Sequence, residues 1–149
     1  MLASKSQIKV IGRREFVDFP LLGISTIEAK IDTGAYTSAI HCDEISIKKN
    51  PAGKDVLVYK LSSTETHECE NYSKKIIKNS FGEMEERYVI KTIMHIGRKK
   101  INTILSLSNR DNMKYPVLIG RRAIKGKFLV DVSLVHTNGI KLNKYLKDK

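Results

Sequence analysis

Apolar and polar positions alternate along much of this chain, the period of half-buried β-strands rather than of helices. In Ile27-Glu28-Ala29-Lys30-Ile31 the apolar side chains face one way and the charges the other. Ile101, Thr103, Leu105 and Leu107 alternate with Asn102, Ile104, Ser106 and Ser108 in a second strand, and residues 88–96 form a third, less regular one. Val117-Leu118-Ile119 is a short continuous apolar run ending in Gly120, which predicts a strand buried on both faces. Phe128-Leu129-Val130 and Ser133-Leu134-Val135 add short strands, and Val56-Leu57-Val58-Tyr59 another after the turn Asn50-Pro51-Ala52-Gly53. Residues 65–75 read as a polar loop. Helix is scarce: residues 122–125 make about one turn closed by Gly126, and residues 145–149 a frayed polar tail. These elements predict an all-β (mainly β) chain, a small closed β-barrel with one short helix. No internal repeat or low-complexity linker interrupts it. One domain over 1–149 is expected, with its core at about 10–135 and a basic tail at 136–149.

Composition narrows the class. At 149 residues and 41% hydrophobic the chain suits a single globular core. No apolar run is long enough for a bilayer, and residues 1–9 lack the apolar stretch of a signal peptide. A cytoplasmic location and no membrane partner are therefore expected. Two cysteines, Cys42 and Cys69, do not make a disulfide framework at this length, so reduced thiols are the simpler expectation. The formal charge of +11 is the compositional outlier. It fits either a solvated lysine-rich surface or attraction for a polyanion, nucleic acid or acidic peptide. From Arg121 onward there are eight Lys/Arg against two acids. With 7% aromatics and no Trp there is little for a base-stacking platform, and no zinc-finger or RRM motif occurs.

The strongest candidate for chemistry is Asp32-Thr33-Gly34-Ala35, which follows a clean strand. A strand ending in Asp, a hydroxyl residue and Gly holds a carboxylate at a tight turn. Gly34 permits close access to the backbone, and the Thr33 hydroxyl can lock neighbouring backbone or its copy in a partner chain. Downstream, the strand ending in Gly120-Arg121 is a second buried segment interrupted by Gly, as expected where chains pass closely around a polar centre. Ile31-Asp32-Thr33-Gly34-Ala35 with Val117-Leu118-Ile119-Gly120-Arg121 resembles the active-site signature and the later apolar-apolar-Gly-Arg segment of retroviral-type aspartic proteases.

A closer resemblance is to the bacterial retropepsin-like family whose older description is ATP-dependent zinc protease. It is associated with the ATP-grasp ligase that adds glutamates to a small-subunit ribosomal protein. Ile11-Gly12-Arg13-Arg14-Glu15, Ala29-Lys30-Ile31-Asp32-Thr33-Gly34-Ala35 and Thr37-Ser38-Ala39-Ile40-His41 match it. So do Glu86-Arg87-Tyr88-Val89-Ile90, the stretch 108–121 and Gly126-Lys127-Phe128-Leu129-Val130-Asp131, in the family's order. Tyr36 departs from it: the family usually has Arg there, and retroviral enzymes Asp. No acid follows before Asp43, so the sequence names no partner for Arg121.

The resemblance implies an aspartic endopeptidase with Asp32 as catalytic residue and Thr33, Gly34 and Ala35 supporting the turn. Such chemistry needs two carboxylates sharing one proton, yet the chain has one Asp-Thr-Gly and no Asp-Ser-Gly. The second carboxylate is then expected from Asp32 of a twofold-related chain, hence a homodimer. A cover over the site is expected, and its candidate is the Ser80-Phe81-Gly82-Glu83 turn, with Phe81 and Gly82 at its tip; an ordinary surface hairpin is the alternative. The implied substrate is an acidic, glutamate-rich tail of a ribosomal protein, with a functional link to the ligase and the ribosome.

No cofactor is expected. His67-Glu68-Cys69-Glu70-Asn71 has Asn71 where a zincin needs its second His, and His41, Cys42, His67 and Cys69 lack zinc-finger spacing. His95 and His136 read as surface or packing residues. The segment from Gly120 to Lys127 has one residue too many for a Walker loop and is followed by Phe128. Two other functions remain open: a non-catalytic module of the same fold that binds an acidic peptide or the ligase, and a zinc-dependent protease.

Overall fold

The computed structural model describes residues 8–62, 64–79, 81–109 and 114–149. Its strands are β1 (Lys9–Ile11), β2 (Arg14–Phe19), β3 (Ile24–Ile31), β4 (Ser38–His41), β5 (Glu44–Lys49), β6 (Asp55–Lys60) and β7 (Thr66–Cys69). They continue as β8 (Tyr72–Lys78), β9 (Met84–Ile96), β10 (Lys99–Ser108), β11 (Val117–Ile119), β12 (Phe128–Val130) and β13 (Ile140–Lys141). Two short helices, α1 (Arg121–Ile124) and α2 (Leu142–Lys147), and a 3-10 turn at Pro20–Leu22 complete the described elements.

The alternating stretches behave as their pattern requires. In β3, Ala29 and Ile31 are buried while Lys30 is exposed. The main sheet runs β10-β4-β11-β3-β2-β9-β8, and β9 pairs with β10 as well, so six of its strands form a ring and β8 extends it. Phe19, Ile40, Met94, Ile96, Leu105 and Ile119 are fully buried in one cluster that also takes in Ile11, Leu57 and Phe128. Leu57 and Tyr59 tie the smaller sheet β5-β6-β7 to that core.

One crossing sets up the site. β11 lies between β3 and β4, which are consecutive in sequence, running parallel to the first and antiparallel to the second. The loop joining β3 to β4 must therefore wrap around the end of β11. Val117 and Ile119 anchor β11 in the core, whereas Leu118 is only half-buried. The expected burial on both faces is corrected here, because the Leu118 face opens into a cleft.

Other expectations change for equally physical reasons. The polar loop expected at 65–75 is β7 and the start of β8, organised by pairing with β6 and β9 despite exposed side chains. Ser133-Leu134-Val135 is not a strand. A turn at Val132-Ser133, closed by the Leu134 N–H on the Asp131 carbonyl at 3.1 Å, leads into irregular chain tied to its neighbours by Arg13 N–H donating to the Leu134 carbonyl and His136 N–H to that of Arg14, both 2.9 Å. The tail expected to fray carries α2, so there are two helices rather than one. α1 starts one residue early, at Arg121.

Buried Glu15 holds the C-terminal segment in place. Its carboxylate accepts the N–H groups of Gly12 (2.8 Å), Thr137 (3.1 Å) and Asn138 (3.0 Å) and the Thr137 hydroxyl (2.7 Å). A buried carboxylate needs such a set of donors. Among the described residues no helix is long and apolar enough to cross a membrane.

Candidate active site

Asp32 closes β3 where the chain turns around β11. Its N–H donates to the Ile119 carbonyl at 2.8 Å, the last rung between β3 and β11. Its carbonyl accepts the Ala35 N–H at 3.2 Å, which closes the turn. The Gly34 N–H donates to Asp32 Oδ1 at 3.0 Å and so orients the carboxylate. A Cβ on Gly34 would lie 3.2 Å from that oxygen and crowd it. Thr33 and Gly34 are exposed at the tip, and Asp32 is half-buried behind them.

Gly120 makes the crossing possible. A Cβ there would fall 2.6 Å from the Tyr36 carbonyl oxygen and 2.8 Å from the Thr37 carbonyl carbon, both backbone atoms that cannot swing away. Its N–H donates to the buried Ser38 hydroxyl at 3.0 Å, and the Ser106 hydroxyl donates to the Ser38 carbonyl at 3.2 Å. Small hydroxyl residues thus join β4, β10 and the end of β11 beneath the turn. Ser38 and Ser106 were not singled out from the sequence, since isolated serines in strands carry no distinctive pattern.

Arg121 braces the turn from the other side. Its N–H donates to the Ala35 carbonyl at 2.8 Å, and its Nη1 donates to the carbonyls of Gly34 (3.1 Å) and Thr33 (3.4 Å). The guanidinium lies 5.4 Å from the centroid of the Tyr36 ring, and that of Arg122 lies 5.9 Å from it. The partner that the sequence left unnamed is therefore an aromatic face plus backbone oxygens. No carboxylate offsets the charge of Arg121 among the described residues.

A cleft of about 820 Å³ opens over Asp32. One wall is the turn itself, with Gly34, Ala35, Tyr36 and Arg121; the other comes from Ile76, Ile77, Lys78 and Asn79 of the hairpin β8–β9. Asp32 is the one acid among the described lining residues, which include Lys30, Lys78, Arg87, Lys114 and Arg121. Arg87 is paired with Glu85, and the other four cations leave the cleft positive around a single lining carboxylate.

The hairpin expected as a cover lines one wall of this cleft through its arm. Phe81 and Gly82 stand at the tip, outside the lining, with Phe81 87% exposed. Asn79 shapes the tip: its Oδ1 accepts the N–H groups of Phe81 (2.9 Å) and Glu83 (3.0 Å), and Gly82 takes a positive φ of 82°. Ser80 lies outside the described residues, as does 110–113 of the matched stretch.

His67, Cys42 and Cys69 gather around Tyr59, while His41 and His136 lie with different partners. His41 pairs with Asp43 at 2.7 Å, and His67 stacks on Tyr59 with centroids 5.3 Å apart. The Cys42 thiol donates to the Glu44 carbonyl and the Cys69 thiol to that of Asn71, each at 3.2 Å. Burial pushes the Cys42 thiol up. His136 bonds Glu28 at 2.6 Å and stacks on Phe16. Among the described residues no group of three or more His, Cys, Asp or Glu is placed to hold a metal ion.

Comparison with known proteins adds to this geometry. A family described as RimB-like, retropepsin-like aspartic endopeptidase RimB, matches residues 10–139. A probable alpha-L-glutamate ligase of Desulfotalea psychrophila is 36% identical over 132 residues, 85% of this chain and 28% of that protein. One of Shewanella halifaxensis is 37% identical over 131 residues, 83% of this chain and again 28% of the relative. The chain thus spans little more than a quarter of the length of these relatives. The crystal structure of a Legionella pneumophila protein of unknown function matches with a TM-score of 0.65 at 26% identity, covering 87% of this chain and 98% of that one.

Proposed function

Because this chain belongs to the RimB-like family of retropepsin-like aspartic endopeptidases, we propose that it hydrolyses peptide bonds with two copies of Asp32, one from each chain of a symmetric homodimer. The observation that carries the proposal is the single oriented carboxylate in a cleft that offers no second acid among its described lining residues. A twofold axis beside the exposed Thr33-Gly34 tip brings the missing partner, because such an axis sets identical residues face to face.

Two carboxylates at close range share one proton, since both cannot ionise together. The ionised member takes a proton from a water held between the pair while the protonated member donates to the scissile carbonyl oxygen. The water oxygen bonds to the carbonyl carbon. The adduct then collapses as one carboxylate takes back the hydroxyl proton, re-forming the C=O, while the carboxyl that took the water proton gives it to the nitrogen, and the C–N bond breaks to release the amine. The reaction so proposed needs no metal and no nucleotide.

The basic lining favours an acidic or glutamate-rich peptide. The relatives carry the name of a glutamate ligase, and we assign that chemistry to the part of them that this chain does not match. The peptidase would then act on a glutamate-rich tail, such as that of a ribosomal protein, in opposition to glutamate addition. The same positive cleft suits a module that binds such a tail without turnover.

The Asp32→Asn variant separates the two. Purified protein is incubated with a polyglutamate-tailed substrate and product mass is followed. The wild type is expected to shorten the tail and the variant to leave it intact while still binding it. Cleavage by the variant, or none by a wild type that binds, overturns the peptidase proposal.

A further inference from the structure

A second concentration of positive charge lies where β1, β12, β13 and the β9–β10 turn meet. Lys9 of β1 stands opposite Lys141 of β13 and beside Phe128 of β12. The Lys99 ammonium is 5.7 Å from the Phe128 ring centroid. Burial, then the fields of Lys9 and Lys127, hold it below the ordinary lysine value. Lys9, Arg98 and Lys141 line a depression of about 940 Å³ that shares no described lining residue with the Asp32 cleft.

Like charges opposed across strands destabilise a sheet, and this face does little to offset them. Among the described residues, Lys9, Arg98, Lys127 and Lys141 have no carboxylate within ion-pair distance. The two acids bordering the depression are engaged with backbone: Glu15 as described above, and Asp18 with the Thr26 N–H at 2.6 Å. The lysines of β5 and β6 present the opposite case. Lys48 pairs with Glu68 at 2.9 Å, Lys49 with Asp55 at 2.8 Å and Lys54 with Glu70 at 3.9 Å. The chain therefore pairs lysines with carboxylates on one sheet and leaves Lys9 and Lys141 of another without an ion pair among the described residues.

We infer that this second face binds the phosphate backbone of a nucleic acid without reading its bases. Ammonium groups on separate segments suit a ligand carrying charge at regular intervals on its outside, and phosphate contacts position a protein without specifying sequence. Among the described residues of this face the rings offer little for base stacking: Phe128 is buried beneath Lys99, and one side of Phe16 is covered by His136. The inference does not depend on peptide hydrolysis.

The test is fluorescence anisotropy of the full chain with a labelled mixed-sequence RNA duplex, across about 50 to 200 mM salt. Wild type is expected to bind, with affinity falling steeply as salt rises. The triple variant Lys9→Ala/Lys99→Ala/Lys127→Ala should bind roughly tenfold more weakly at low salt and flatten the salt slope by about two to three units. The corresponding triple arginine variant should restore both. Lys48→Ala/Lys49→Ala/Lys54→Ala and Asp32→Asn should bind as wild type does. Should the alanine triple melt early, Lys9→Gln/Lys127→Gln carries the same test. The inference is overturned if wild type does not bind, if the patch variants bind equally well, or if the β5–β6 variant loses as much. A loss confined to a polyglutamate peptide, with RNA binding intact, overturns it too, by giving the face to an acidic protein.

Discussion

Arg121 is held by two carbonyl oxygens and the face of Tyr36, an arrangement that orients the guanidinium without cancelling its charge. A carboxylate at position 36 would have done both at once. The aromatic partner therefore keeps the edge of the cleft positive while the turn that carries Asp32 stays braced. An exposed cation–π pair contributes about 0.5–1 kcal/mol, so its loss is felt through positioning more than through stability. Tyr36→Leu is expected to lower the turnover of an acidic peptide several-fold with little change in melting temperature. Tyr36→Phe, which keeps the ring, is expected to match wild type in the same assay. Equal activity of the Leu and Phe variants would show that the ring does not position Arg121.

The hairpin β8–β9 and the helix α2 are the elements whose roles can be separated from folding. Ile76, Phe81 and Met84 are exposed on the hairpin, 69%, 87% and 64% respectively, although Ile76 also borders the cleft. Apolar groups presented this way add little to the core, and surface substitutions typically change stability by less than about 0.5 kcal/mol. Ile76→Ser/Phe81→Ser is expected to leave thermal unfolding unchanged and to raise KM for the peptide substrate. A fall in melting temperature with KM unaltered would make the hairpin a structural element only.

α2 is docked through Asp131. The Ser133 hydroxyl, then the Tyr145 hydroxyl, the Ser133 N–H and the Lys149 ammonium hold the Asp131 carboxyl well below the usual carboxylate range. A depressed carboxyl stabilises the folded form above its unfolded value, and that contribution is lost as pH falls toward the folded one. Protection factors for amide exchange in 142–147 should therefore fall below about pH 4. Asp131→Asn should exchange faster at neutral pH and lose that dependence.

At the scale of the molecule, the formal charge of +11 is organised rather than spread evenly. Some of the 27 Lys/Arg surround one carboxylate in the cleft, some are paired with carboxylates on β5–β7, and Lys9 and Lys141 of the β1–β13 face form no ion pair among the described residues. The proposed dimer makes a quantitative prediction for mixed chains. If each site takes one Asp32 from each chain, wild type equilibrated with Asp32→Asn should lose activity as the square of the wild-type fraction, provided that chains exchange. A linear loss would mean that one chain suffices, and the dyad would have to be abandoned.

Much of this was legible in the residue order because it depends on local chemistry. Alternation marked β3, β9 and β10, since a strand facing core and solvent must change polarity at every residue. Asp32-Thr33-Gly34 and Gly120-Arg121 marked the turn and its brace, because a carboxylate at a tight turn and a crossing with no room for Cβ admit few residue types. What the order of residues could not disclose depends on segments far apart in the chain. The strands β7 and β8 are polar and take their form from pairing with β6 and β9. Leu118 is half-open because its face borders the cleft that the hairpin arm also lines. The partner of Arg121 had to be found in space, and so did the lysines that gather from Lys9, Lys99, Lys127 and Lys141. Local sequence records what each residue can do; only folding decides which charges become neighbours, because Coulomb energy depends on distance in space and not on separation along the chain.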